Sequence, residues 1–140
     1  MKQLAHICLY TQQPEAMLDF YRKKLDLPLQ FSMQNDSGEE FGWYVALGNV
    51  TFIEIFDAPK AAKQWGGSVP DLSVTGRVRH FCIQVEDLGA EQQRLAKRGV
   101  EVARIKTGMD GSRQGWIEDP DGNAIELMQY VETSLQLRGH

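Results

Sequence analysis

His6-Ile7-Cys8-Leu9, near the start of the chain, returns as His80-Phe81-Cys82-Ile83, 74 residues later (80 − 6). Each tetrad lies in an apolar, strand-like run, residues 4–10 and 78–85. Outward from the first, Pro14 suits the first turn of a helix. Met17, Phe20, Tyr21 and Leu25 follow at helical spacing, and Pro28 closes the helix. Residues 29–34 read as a strand, Asn35-Asp36-Ser37-Gly38 as a turn and 41–47 as a strand. Gly48-Asn49 is a tight connection, and residues 50–56 form a fourth strand. The same plan restarts at the second tetrad. Asp87 caps a helix over 88–98 that stops at Gly99. A strand over 100–105, a loop over 106–111 and a strand over 113–118 follow. Asp119-Pro120-Asp121-Gly122 carries the residues of a type I turn, and 124–130 is the last strand.

The order strand-helix-strand-strand-strand therefore occurs twice. The expectation is an α+β fold, one domain of two βαβββ modules, residues 3–57 and 77–131. Residues 58–76 hold Pro59, Gly66, Gly67, Pro70 and Gly76 and read as a linker, with 132–140 as a loosely held tail. Glu54 and Glu126 stand 72 residues apart (126 − 54), close to the offset of the histidines.

Composition narrows the function classes. The 140 residues suffice for one domain with a true core, and 42% hydrophobic with 24% charged residues is the balance of a globular protein. A net charge of −4 with scattered basic residues argues against nucleic acid as a partner. Lys and Arg at positions 22–24 read as the solvated face of a helix. No apolar run is long enough for a membrane helix, and the N-terminus lacks the pattern of a signal peptide, so a cytoplasmic protein is expected. The two cysteines are too few for a disulfide framework and read as reduced core residues.

Side chains alternate across a strand. Ile7/Leu9, Ile53/Ile55, Phe81/Ile83 and Ile125/Leu127 then face one way, towards the helices, and His6, Glu54, His80 and Glu126 face the other. Glu54 shares its face with Phe52 and Phe56, and Glu126 with Ala124 and Met128. A carboxylate among such neighbours is costly unless compensated, and a divalent cation compensates two at once. Two imidazoles and two carboxylates make a first shell for Zn, Ni, Co, Mn or Fe(II). Taken singly, each of the four is as readily an ordinary strand residue. Their equivalent places in two repeats are what suggest a metal site. Trp43, Trp65 and Trp116 could line a cleft or a subunit contact, or be plain core aromatics. Lys106, Arg113, Arg77 and Arg79 could meet an anionic substrate or simply be solvated.

This pattern resembles the vicinal oxygen chelate superfamily, which includes glyoxalase I, extradiol dioxygenases and the fosfomycin and bleomycin resistance proteins. The resemblance spans residues 3–131, and its most specific stretch is Glu118-Asp119-Pro120-Asp121-Gly122-Asn123-Ala124-Ile125-Glu126-Leu127. It implies two modules whose sheets curl into a cleft around one divalent metal, with helices outside. By the resemblance, His6, Glu54, His80 and Glu126 occupy the metal positions in order, nearest to glyoxalase I. The implied activity is a lyase or isomerase, related to lactoylglutathione lyase, acting on a small hydroxycarbonyl or dicarbonyl compound through an enediolate-type intermediate. Glu126 would be the base and Glu54 its partner. The alternatives are a metal-dependent dioxygenase or resistance transferase, or a non-catalytic drug-binding protein. Members of this size pair as homodimers. Tyr10 and Ala58 stand where glyoxalase I has an Arg and an Asn that hold glutathione, so glutathione itself is placed in doubt.

Overall fold

The computed structural model describes residues 4–74, 78 and 80–138. The chain divides into two compact units, 1–75 and 76–140.

In the first unit the elements are β1 (His6–Thr11), α1 (Pro14–Leu18), β2 (Leu29–Gln34), β3 (Glu40–Gly48), β4 (Thr51–Asp57) and α2 (Ala58–Trp65). The sheet order is β1-β4-β3-β2, with β1 parallel to β4 and the other pairs antiparallel. A parallel pair needs a crossover, and α1 provides its helical part. That helix continues through Asp19–Lys24 as a π-helical stretch, where the Leu25 amide reaches the Phe20 carbonyl at 2.9 Å. Met17, Phe20 and Tyr21 are buried along it, and α1 lies against β4, where Ile53 and Ile55 are fully buried.

The second unit repeats the plan with β5 (Phe81–Gln84), α3 (Leu88–Ala96), β6 (Lys106–Thr107), β7 (Arg113–Glu118), β8 (Ala124–Gln129) and a short α4 (Leu135–Arg138). Its sheet order, β5-β8-β7-β6, has the same parallel and antiparallel pairs. A Cβ on Gly115 would touch Val102 and Leu88, so α3 covers the face of Gly115. Gly115 pairs with Leu127, and Ile117 with Ile125, on that helix side. Trp116 and Glu126 pair on the opposite side. The expected α+β architecture of two βαβββ modules, each a four-stranded mixed sheet, is thus present.

Several elements depart from the sequence reading. The stretch read as linker opens with helix α2. Asp57 is its cap, accepting from the Lys60 amide at 3.1 Å, and Pro59 lies in its first turn. Pro59 and Gly66 here are a helix start and stop, whereas Gly67 and Pro70 lie in the irregular stretch that follows, as expected. The expected strand over 100–105 forms no ladder. Val100 and Val102 are buried by packing, and the strand proper is β6, where a loop was expected. The tail is held rather than loose. The Leu135 amide bonds the Asp110 carbonyl at 2.7 Å, and the buried hydroxyls of Ser112 and Ser134 meet at 2.9 Å. The connection before β4 is Asn49-Val50 rather than Gly48-Asn49, with positive φ at both residues. Of the stretch expected as strand over 78–85, Phe81–Gln84 form β5, and Arg79 lies outside the described residues.

Candidate metal centre

The two histidines begin, or just precede, the first strand of their modules, and the two glutamates lie mid-strand in β4 and β8. In each module the cysteine two residues after the histidine stands opposite the glutamate, Cys8 to Glu54 and Cys82 to Glu126. The repeat therefore extends to strand register. His6 Nε2 lies 3.6 Å from Glu54 Oε2, and His80 Nε2 lies 3.4 Å from Glu126 Oε2. Glu54 and Glu126 are buried, while both imidazoles remain open to solvent.

These separations bear on what the pairs can hold. A well-formed N–H···O bond spans about 2.7–3.2 Å. Two donors on one tetrahedral zinc-sized ion, each about 2.1 Å from it, stand about 3.4 Å apart. The imidazole–carboxylate pairs fall at the second spacing, and their donor chemistry suits a divalent ion. Among the described residues no three His, Cys, Asp or Glu side chains form a group that could hold a metal ion. Each module presents one His and one Glu, half of the set expected from the sequence.

The surroundings of the two carboxylates differ. The Tyr44 phenol on β3 donates to Glu54 Oε1. That bond, with burial, pushes the Tyr44 hydroxyl up to about 12. Its ring stacks on Phe31 at 4.4 Å and meets Phe52 and His6 edge-on at 6.0 and 5.9 Å. In the second module Trp116 stands opposite Glu126 and packs edge-on against His80 at 4.8 Å. Burial, together with the adjacent carboxylate, pushes the thiols of Cys8 and Cys82 up to about 12. They are not the core residues the sequence suggested, because they lie on the face of the glutamates, where both residues are exposed, and they are protonated neighbours of those carboxylates.

Tyr44 was not singled out by sequence. The one available sign is its offset of 72 residues from Trp116 (116 − 44), which matches that of the glutamates. Of the tryptophans, Trp43 is buried, and Trp65 on α2 packs against Phe41 and Phe56. Arg113 bonds Gln129 at 3.0 Å, and Lys106 is exposed on β6. Arg77 and Arg79 lie outside the described residues. Tyr10 rests edge-on against Phe56 at 5.9 Å, and Ala58 is buried at the start of α2.

Residues 3–127 match the family model of the Glyoxalase/Bleomycin resistance protein/Dioxygenase superfamily. The chain belongs to this superfamily. "Uncharacterized protein YwbC" of Bacillus subtilis (strain 168) is 24% identical over 131 residues, covering 91% of this chain and 98% of that protein. TnmS3, an antibiotic binding protein from Streptomyces sp. CB03234, superposes with a TM-score of 0.70 at 26% identity, covering 94% of this chain and 98% of that one. Lactoylglutathione lyase from Agrobacterium tumefaciens superposes with a TM-score of 0.66 at 16% identity, covering 92% and 94% of the two chains, a likeness of fold alone. Chains that share this fold thus include both an enzyme and a binding protein. Among the described residues no helix is long and apolar enough to cross a membrane.

Proposed function

We propose that the chain is a metal-dependent lyase or isomerase of the glyoxalase type, acting on a small hydroxycarbonyl or dicarbonyl compound. The observation that carries this reading is the doubled His–Glu pair, with the same strand register and near-equal N···O spacing in both modules. His6, Glu54, His80 and Glu126 would together hold one divalent ion (Zn, Ni, Co, Mn or Fe). When bound, that ion would act as a Lewis acid on adjacent substrate oxygens and make the neighbouring C–H acidic. Glu126 then takes the proton from one carbon and returns it to the next, with Glu54 as its fixed partner. Burial of both carboxylates keeps bulk water from competing for that proton. Tyr10 and Ala58 offer no charge or amide to glutathione, so a different thiol adduct, or none, is the expected substrate. A cytoplasmic homodimer, with a small molecule as its partner and neither nucleic acid nor membrane, completes the reading.

The test is metal analysis of the purified protein, then proton exchange and isomerisation of methylglyoxal hemithioacetals made with several thiols. Stoichiometric metal, activity lost in Glu126→Gln, and metal lost in His6→Ala are expected. A metal-loaded protein that consumes O₂ or transfers a thiol instead would move it to the dioxygenase or resistance-transferase class.

A second reading, a non-catalytic binder of a drug-like molecule, is favoured by the aromatic row Phe31, Tyr44 and Phe52 and by likeness to TnmS3. A protein that takes up no metal, keeps its stability in chelator and binds aromatic antibiotics would establish it.

A further inference from the structure

The two halves of the candidate centre match in register but not in how their carboxylates are held. Glu54 has one oxygen beside His6 and the other engaged by Tyr44. Among the described residues no hydroxyl bonds Glu126, whose neighbours are His80 and the Cys82 thiol. Trp116 takes Tyr44's place in the repeat and turns its ring to His80 instead.

Tyr44 is also well fixed. Stacking on Phe31, with edge contacts to Phe52 and His6, sets the ring plane before any ligand arrives. A hydrogen bond to a charged acceptor is among the stronger kinds, and a preset donor loses little entropy in making it.

We infer that Tyr44 is a positioning residue, whose phenol clamps Oε1 of Glu54 so that this carboxylate offers one oxygen beside His6 and stays in place, leaving Glu126 as the mobile carboxylate. This rests on the function proposed above and adds to it a division of labour between two glutamates that the sequence repeat makes look equivalent. The partner of Glu54 is then a hydroxyl on the neighbouring strand, and Phe31 acts one step further out by holding that hydroxyl's ring.

The test uses the full chain, stripped with chelator and titrated with Zn²⁺ against a chromophoric competitor. Loss of a group that orients a ligand typically weakens metal binding about 10–100-fold, and Tyr44→Phe is expected to do so. The same factor should appear in a Glu126→Ala background and largely vanish in Glu54→Ala, where the clamp has nothing to hold. Phe31→Ala, which leaves the hydroxyl but frees the ring, should give a smaller loss and serves if Tyr44→Phe does not fold. In protein carrying ¹³Cζ-tyrosine, without metal, the Tyr44 resonance should move with Glu54→Ala and ignore Glu126→Ala. If the parent binds zinc and Tyr44→Phe binds it equally well, or loses as much in the Glu54→Ala background, the clamp is overturned and the functional reading stands. A Tyr44 resonance indifferent to Glu54→Ala overturns the contact itself. A parent that takes up none of Zn²⁺, Ni²⁺, Co²⁺, Mn²⁺ and Fe²⁺ overturns the functional reading, and the positioning role with it.

Discussion

The hairpin between β3 and β4 carries a strained residue whose replacement should make the protein more stable. Asn49 and Val50 both have positive φ, 47° and 58°, the pattern of a type I′ turn. Asparagine tolerates this region, whereas a β-branched residue does not. An L-residue in the left-handed region costs about 1–2 kcal/mol relative to its usual conformations. The Val50 side chain is 80% exposed, so its removal sacrifices almost no buried area. Glycine takes back about 0.4–1 kcal/mol through the greater freedom of the unfolded chain. Val50→Gly is thus expected to stabilise by about 0.5–1 kcal/mol. With a urea dependence near about 2 kcal/mol per M, the midpoint rises by about 0.25–0.5 M at unchanged slope. Urea unfolding followed by far-UV circular dichroism measures it, with Asn49→Ala as the control expected to move the midpoint down. A Val50→Gly midpoint equal to or below that of the parent would refute the strain argument, showing either that Val50 is packed or that the turn has another geometry.

Three further outcomes follow from the structure. Gly42 lies opposite Phe56 in the ladder, and a Cβ there would sit 2.2 Å from the buried ring, so Gly42→Ala should cost about 1–3 kcal/mol in the same urea assay. Removing the Asp57 cap of α2 with Asp57→Ala should cost about 1 kcal/mol, again as a lower urea midpoint. The bond from Gln136 holds the Asp110 carboxyl below its ordinary value, and the Ser112 contacts act the same way. Because the folded value is depressed, this contribution is whole above the unfolded carboxylate value and is lost as pH falls through the folded one. NMR titration of Asp110 should therefore show a lowered midpoint, moved part of the way back by Gln136→Ala while the Ser112 contacts remain, and an ordinary midpoint in the parent would contradict the contact.

Much of the architecture was legible because its causes are local. Alternation marked β1, β4 and β8, and the 74-residue recurrence of the His-x-Cys motif announced the repeat. Where the reading failed, the same residue types served another end. Pro59 and Gly66 start and stop α2 once Asp57 caps it, a distinction composition alone does not make. Val100 and Val102 alternate like a strand because they pack on the sheet, and one bond, from the Ala103 amide to the Trp116 carbonyl at 2.8 Å, joins the stretch to β7 before the ladder begins at Lys106.

By itself the sequence determined that two histidines and two glutamates stand at equivalent places in two repeats, the basis for expecting chemistry there. Only the tertiary structure decided how each pair is supported. Gly48 pairs with Thr51, but a shift of register between Ala46 and Gly48 leaves Ala46 opposite Phe52 and Tyr44 opposite Glu54. Counting back from the turn without that shift puts Val45 there and sends Tyr44 to the buried face. Side chains alternate with a period of two, so one extra residue in one strand changes which face every later residue meets. Such a bulge depends on the pairing of the two strands, and no residue type in the strand declares it.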